Sequence, residues 1–271
     1  MKGVVFLGGG RITSALLAGV RLHGDRSRIV VHDRNGHKLR ALKREFGIVP
    51  EPDLVTAVQQ AKLLMIAVRP DGVREVLKNL KEAFPKLSDP KRRSSGLVVC
   101  SLAAGSPLAN LQRQLPVPWA RAMPSPASRA GRGLTALTFP RGLQPDKRRQ
   151  VRSFFGRVGP VLELPERRFD AFTVTYSASH GYHALAALAR AAQKLGLDRR
   201  SAYVAAAHAL ADGILAWREG NESLEALLNE AATPNGIAAT VMAEMDRAGY
   251  TASVERGLRA GVARTRKNAT L

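Results

Sequence analysis

Val4-Val5-Phe6-Leu7-Gly8-Gly9-Gly10-Arg11-Ile12-Thr13-Ser14-Ala15-Leu16-Leu17 is the stretch from which the fold is read. It opens as an apolar run of strand length and breaks into three glycines. Apolar residues then resume at helical spacing: Ile12, Leu16, and Leu17 beside Val20. Strand, glycine turn and helix in that order make the dinucleotide fingerprint, here G-x-G-x-x-T on Gly8, Gly10 and Thr13. Gly8 permits the tight turn, and Gly10 lets the backbone approach a pyrophosphate. The helix N-terminus at Arg11 and Ile12 offers free amides and a positive dipole end to the phosphates. Thr13 departs from the pattern, which places Gly or Ala there for close packing of helix on strand.

Working outward, Arg28-Ile29-Val30-Val31-His32 reads as a second strand ending in Asp33. An acid at that distance from the glycines is expected to bind the ribose hydroxyls. Arg34 and Asn35 follow, and Arg34 suits a 2′-phosphate that Asp33 would repel. The two residues point to different dinucleotides. An Asp33 turned away to cap the helix that starts near Gly36 favours NADP over NAD.

The alternation continues with a helix over 38–46, a short strand near Ile48 and a helix over 53–60. Next come a buried strand over 63–68 and a helix from Asp71 to about 83. Residues 85–95 are polar and basic and read as a surface loop. Strands follow at 97–102, 117–123 and 134–139, with a helix over 144–156 and an edge strand over 160–164. Strands alternating with helices imply right-handed crossovers and a parallel sheet. From Glu166 the pattern is helical only, over 178–195, 200–218, 224–231, 237–248 and 251–266. The expected architecture is α/β: a Rossmann-type dinucleotide-binding domain over 1–164, then an all-helical domain over 165–271. The run Ala202–Ala211 is apolar almost all round and calls for burial on most sides. A homodimer built on these helices supplies the cover.

Lys and Arg number 42 against 22 Asp and Glu, a net charge of +20 over 271 residues. Such a field attracts polyanions. The basic residues are spread, with clusters at Lys91-Arg92-Arg93, Lys147-Arg148-Arg149 and Arg264-Thr265-Arg266-Lys267, and few aromatics interleave them to stack bases. A solvated basic surface is the expected reading, and nucleic acid is not the expected partner. No apolar stretch reaches membrane-spanning length, and a strand begins directly at the N-terminus without a signal sequence. The one cysteine, Cys100, lies in a strand-like run and reads as a core thiol. A cytoplasmic location is expected. No His, Cys, Asp and Glu set has metal-ligand spacing, and no nucleophile motif is present. His208, inside the apolar helix, reads as a core histidine.

These segments together resemble the pyrroline-5-carboxylate reductase family over nearly the whole chain. Gly8-Gly9-Gly10-Arg11-Ile12-Thr13 is similar to its G-A-G-N-M-A, Val68-Arg69-Pro70 to V-K-P, and Ser101-Leu102-Ala103-Ala104-Gly105 to S-I-A-A-G. Arg121-Ala122-Met123-Pro124 is similar to R-V-M-P, and Gly131–Leu137 to G-E-G-M-T-A-L. Lys194-Leu195-Gly196-Leu197 repeats K-L-G-L, and Thr233-Pro234-Asn235-Gly236 stands at S-P-G-G. The resemblance implies hydride transfer from NADPH or NADH to the C=N bond of a cyclic imine carboxylate, as in proline biosynthesis. It adds Val68, Arg69, Pro70, Ala103, Met123, Pro124 and Ser125 to the cofactor-binding candidates.

Three departures fall on the implied site. The family's T-T after S-P-G-G is Ile237-Ala238 here. S-G-S-G-P-A-Y becomes Tyr176-Ser177-Ala178-Ser179-His180-Gly181-Tyr182, and M-P-N-T-P becomes Met123-Pro124-Ser125-Pro126-Ala127. The expected substrate-binding residues are Ser177, Thr233, Asn235, Gly236, Ile237 and Ala238, facing the nicotinamide. Tyr176, Ser179 and His180 are the catalytic candidates, with His180 suited to proton delivery near neutrality. Rival readings are another imine reductase or a deazaflavin-dependent NADP reductase, and an idle nucleotide- or nucleic-acid-binding protein.

Overall fold

The computed structural model describes residues 3–22, 24–83 and 96–268. The basic cluster Lys91–Arg93 and the loop read over 85–95 lie outside these. By compactness the chain forms two units, 1–176 with 261–271, and 177–260. The sequence boundary at 164/165 marks where strand patterns stop, whereas compactness keeps the next helix with the sheet.

The first unit is built on an eight-stranded sheet. The strands are β1 (Gly3–Leu7), β2 (Ile29–His32), β3 (Val49–Pro50), β4 (Ala61–Ile66), β5 (Val98–Ser101), β6 (Trp119–Met123), β7 (Thr135–Thr138) and β8 (Val161–Glu163). Their order is β3-β2-β1-β4-β5-β6-β7-β8. Successive side chains leave a strand on opposite faces, and β1 shows the result. Phe6 joins a core with Leu16, Leu17 and Val20 of α1 (Arg11–Leu22) and Leu39 and Leu42 of α2 (Gly36–Phe46). Val5 and Leu7 join the core on the other face. There they meet Val58 of α3 (Leu54–Gln59) and Leu77 and Leu80 of α4 (Val73–Ala83). Helices on both faces explain why the central strands read as unbroken apolar runs.

Two expectations are corrected. The sheet is not wholly parallel, because β6 and β7 run antiparallel, Arg121 opposite Thr138 and Met123 opposite Ala136. The connection between them holds only a 3-10 turn, Pro126–Ala130. Without a helix to carry the chain back across the sheet, the next strand lies beside its predecessor in reverse. The strand read over 63–68 runs instead over 61–66, and Ala67 closes it with an amide bond to the Leu7 carbonyl at 2.8 Å.

Two helices carry too little periodic pattern to be read from the sequence. The first is α5 (Leu108–Gln114), which buries Leu108 and Leu111. After α6 (Pro145–Gly156) comes the second, α7 (Glu166–Thr175), which buries Phe169 alone. A charged network holds α7 in place. Arg121 on β6 is 2% exposed, and its guanidinium lies 2.5 Å from Glu166, 3.4 Å from Asp170 and 4.6 Å above the Phe169 ring. Glu166 Oε1 also accepts the Leu108 amide at 3.1 Å, so one carboxylate ties α5 and α7 to the sheet.

The second unit contains α8 (Ala178–Lys194), α9 (Arg199–Glu219), α10 (Leu224–Ala231) and α11 (Ile237–Arg247). Helix α12 (Tyr250–Asn268) begins there, and its residues from 261 onward count with the first unit. In the single chain α9 buries only Ala202 and Ala206. Tyr203, Val204, Ile214, Leu215 and Trp217 stand exposed on it, and His208 pairs at the surface with Asp212 at 3.1 Å. The core reading of His208 is thereby corrected for the single chain: an i, i+4 carboxylate holds it outward. Among the described residues no helix is long and apolar enough to cross a membrane.

Removing the Arg121 guanidinium tests the charged network. Glu166 and Asp170 are each about a third accessible, so water meets part of their loss. Arg121→Leu is expected to lower unfolding stability by about 1–3 kcal/mol in urea titration; an unchanged midpoint would contradict the network's role. A second ion pair gives a pH signature. Arg157, which caps α6, lies 2.5 Å from Asp25 in the loop after α1. Burial raises the Asp25 pKa, but the Ser27 amide and hydroxyl and the Arg157 guanidinium more than reverse this and bring it to about 2. A depressed carboxylate stabilises above its unfolded pKa and loses that contribution as pH falls through its folded one. The stability gap between wild type and Asp25→Ala is expected to be about 1–2 kcal/mol at pH 7 and to narrow below about pH 4. A gap that stays constant down to pH 2.5 would refute the assignment.

Candidate functional site

The cofactor-binding candidates gather at the carboxyl ends of β1, β2, β4, β5 and β6, the edge where open α/β sheets bind ligands. β1 ends at Leu7, and the chain turns at once. Gly8 has φ +109°, a conformation that L side chains rarely adopt, and a Cβ there would lie 2.6 Å from the Ala67 carbonyl oxygen. Only glycine fits. The Gly8 amide bonds the His32 carbonyl at 2.8 Å, and the Gly9 amide bonds Asp33 Oδ2 at 2.7 Å. Gly10 differs: a Cβ on it would meet nothing within 4 Å. It faces open space beside the first turn of α1, where the Arg11, Ile12 and Thr13 amides precede the first intrahelical bond, from the Ser14 amide to the Gly10 carbonyl at 3.0 Å. This is the cradle a pyrophosphate needs, and no acid in the first turn opposes it. Arg11 is exposed at the helix start and Ile12 packs on the core.

Thr13 is buried, and its hydroxyl donates to the Gly8 carbonyl at 2.6 Å. The polar group that the fingerprint excludes is thus satisfied within the turn and stiffens it.

At the end of β2 both oxygens of Asp33 are engaged by main-chain amides, Oδ2 by Gly9 and Oδ1 by Asn35 at 2.8 Å. Lys38 Nζ lies 3.9 Å from Oδ2. Asp33 turns inward to the glycine turn and does not cap α2. Asn35 is that cap, its Oδ1 accepting the His37 and Lys38 amides at 3.0 and 3.2 Å. Arg34 is 81% exposed and meets Glu75 of α4 at 2.6 Å. Lys38 and Glu75 were not among the sequence candidates. The helical position of Lys38, one turn into α2, was the available signal; nothing local marked Glu75.

Val68 is half-buried and Arg69 exposed, and Pro70 opens a 3-10 turn, Pro70–Gly72. Ala103 is buried after β5, its amide 3.3 Å from the Ser101 hydroxyl. Met123 ends β6 half-buried, Pro124 is buried, and Ser125 caps the 3-10 turn by accepting the Ala127 amide at 3.1 Å. Ser125 therefore has a structural partner where the family's pattern has Asn.

Tyr176 follows α7, its ring 5.1 Å from that of Phe172 and its amide bonded to the Phe172 carbonyl. In the second unit Ser177 caps α8 and shares a 2.7 Å bond with the Ser179 hydroxyl. His180 is exposed, with its amide on the Ser177 carbonyl at 3.0 Å. Thr233 and Gly236 close a turn through a 2.8 Å amide–carbonyl bond. Within it Asn235 has φ +61°, the left-handed conformation that its family counterpart, a glycine, adopts freely. Asn is the non-glycine residue that tolerates it best. Gly236 caps α11 without a side-chain bond, Ile237 at the helix start is 86% exposed, and Ala238 is exposed beside it. Among the described residues no three His, Cys, Asp or Glu side chains gather as a metal site.

Comparison with known proteins covers both parts of the chain. Residues 3–88 match the family described as "NADP oxidoreductase coenzyme F420-dependent", and residues 166–268 match "Pyrroline-5-carboxylate reductase dimerisation". Pyrroline-5-carboxylate reductase of Mycobacterium tuberculosis is 29% identical, over 98% of this chain and 96% of that protein. The Mycobacterium leprae enzyme of the same name is 32% identical over 78% of this chain and 72% of its own length. In fold, the chain superposes on a pyrroline-5-carboxylate reductase from Coxiella burnetii with a TM-score of 0.85, at 23% identity, covering 100% and 99% of the two chains. It superposes on the Plasmodium falciparum pyrroline carboxylate reductase, solved with NADP bound, with a TM-score of 0.84, at 16% identity and full coverage of both. The glycine turn, the sheet order and the identity shared along both units agree, and the chain belongs to the pyrroline-5-carboxylate reductase family.

Proposed function

We propose that this chain is an NAD(P)H-dependent reductase that delivers hydride to the C=N bond of a cyclic imine carboxylate, pyrroline-5-carboxylate or a close relative. The observation that carries the cofactor half is the glycine turn. Gly8 admits no side chain, Gly10 faces open space, and the first-turn amides of α1 stand beside it. Family membership carries the substrate half. A bound nicotinamide supplies the hydride; the protein binds, orients and balances charge.

Gly10, Arg11 and Ile12 hold the pyrophosphate by their amides and the α1 dipole. Arg34 takes a 2′-phosphate through charge-assisted bonds, and with Asp33 committed to the backbone this favours NADP over NAD. Val68–Pro70, Ala103 and Met123–Ser125 border the nicotinamide end. The substrate carboxylate is held by the amides at the start of α11, with a hydroxyl from Ser177 or Ser179. A cyclic imine is basic enough to arrive protonated, so His180 and Tyr176 have only to maintain the proton on nitrogen. Ile237 and Ala238 bring no hydroxyls, which makes this pocket less polar than the family pattern and suits a more apolar imine.

The second unit assembles as a homodimer. Tyr203, Val204, Ile214, Leu215 and Trp217 of α9, with Val241 and Met245 of α11, are large apolar side chains left exposed in the single chain, and large contiguous apolar patches mark interaction sites. Nucleic acid is not part of this reading. Arg148 and Arg152 close on Glu163, and Arg259 on Glu255, so these cations are engaged by neighbouring carboxylates, and the net excess is read as a solvated basic surface.

The purified chain is expected to oxidise NADPH with pyrroline-5-carboxylate or another cyclic imine in a panel; failure with every imine would refute the reading. Ile237→Thr with Ala238→Thr is expected to raise kcat/KM for pyrroline-5-carboxylate by about tenfold, equivalent to roughly 1.4 kcal/mol. No change would remove the carboxylate from the start of α11. Sedimentation is expected to give a dimer at micromolar concentration, and a stable folded monomer would refute the assembly.

A further inference from the structure

Arg34 and Glu75 meet across the end of β1. Arg34 follows β2, and Glu75 lies in the first turn of α4, which follows β4. In the sheet β2 and β4 flank β1 on its two sides. The guanidinium nevertheless reaches the carboxylate at 2.6 Å, so the ion pair spans the carboxyl end of β1, where the glycine turn begins. The other polar groups at this corner are committed locally. Asp33 serves the Gly9 and Asn35 amides, Asn35 serves the first turn of α2, and Lys38 stands by Asp33. The partner of Arg34 is instead an exposed side chain, and that partner is exchangeable.

We infer that Glu75 is a specificity-determining residue for the dinucleotide, acting as an internal competitor of the 2′-phosphate for Arg34. This rests on the NAD(P)H reading of the site. Carboxylate and phosphate monoester offer the same oxygen acceptors to one guanidinium, and the phosphate, with a charge of roughly −1.5 to −2 near neutral pH, is the stronger claimant. Binding of a 2′-phosphorylated dinucleotide therefore requires Arg34 to release Glu75. A dinucleotide without that phosphate leaves the pair intact. Glu75 lowers affinity for NADPH and leaves NADH untouched, which narrows the preference that Arg34 creates. An exposed pair of this kind shifts an equilibrium by no more than about fivefold.

The test is equilibrium binding at low ionic strength to wild type, Glu75→Gln, Arg34→Ala and the double variant. NADPH and NADH are followed by nicotinamide fluorescence, and 2′,5′-ADP and 5′-AMP by calorimetry. Glu75→Gln is expected to tighten NADPH and 2′,5′-ADP about two- to fivefold and to leave NADH and 5′-AMP unchanged. The gain should vanish in the Arg34→Ala background and shrink as salt screens the pair. Equal changes for both members of each couple, no change, or a gain that survives in Arg34→Ala would overturn the role of Glu75 while leaving the dinucleotide reading in place. A wild-type chain that binds none of the four probes would overturn both.

Discussion

The Asp33 carboxylate joins the ends of β1 and β2 by accepting the Gly9 amide at 2.7 Å, and much of the site's arrangement follows from that bond. Both oxygens of this carboxylate are engaged by main-chain amides. The amide of Gly9 is used up as well, so the proposed pyrophosphate site rests on Gly10 and the first turn of α1. The second oxygen holds the Asn35 amide, which sets the loop so that Asn35 caps α2. Arg34, lying between these two anchored residues, points outward and finds Glu75. On the proposed reading, one acid in a structural role leaves the choice between NADP and NAD to a cation and its rival.

The same turn shows how a departure from a motif is absorbed. A Thr at the third fingerprint position carries extra volume and a hydroxyl into a buried contact. Its bond to the Gly8 carbonyl supplies the partner that burial demands, because a buried hydroxyl left unsatisfied costs about 1–3 kcal/mol. Gly8 has no such latitude, since the Ala67 carbonyl occupies the space that a Cβ requires. The two positions answer to different constraints, one to hydrogen bonding and the other to hard contact.

Patterns that repeat along the chain were legible in the sequence. The β1–α1 unit and the long helices after Ala178 stand where their periodicity puts them, and the apolar central strands do so within a residue or two, β4 starting two residues early. Helices α5 and α7 were not legible, because each is short and buries one or two apolar side chains. The reversal at β7 was hidden too: direction depends on what the connection contains, and alternation is the same for either direction. In the site, the local glycine geometry was readable. The pairs Gly9–Asp33, Arg34–Glu75 and Arg121–Glu166 were not, because each joins residues from separate elements that only the fold brings together. Charge alone names many possible partners for each of these side chains.

The turn before α11 shows where this chain has diverged. In Thr233-Pro234-Asn235-Gly236 the third residue, where the family pattern has glycine, takes the left-handed backbone, φ +61°. Asn accepts that conformation at modest cost because its short polar side chain bonds locally. The turn thus leads into the Gly236 cap and the exposed start of α11 with a side chain where the family pattern has none. Helix-end amides do not depend on side-chain identity, so the anion site proposed there does not require the two Thr that Ile237 and Ala238 replace. On the proposed reading those replacements remove two hydroxyls beside the carboxylate and make the pocket less polar toward the rest of the substrate. On that reading, divergence bears on the choice of imine, because the anion is left to backbone amides that any sequence supplies at a helix start.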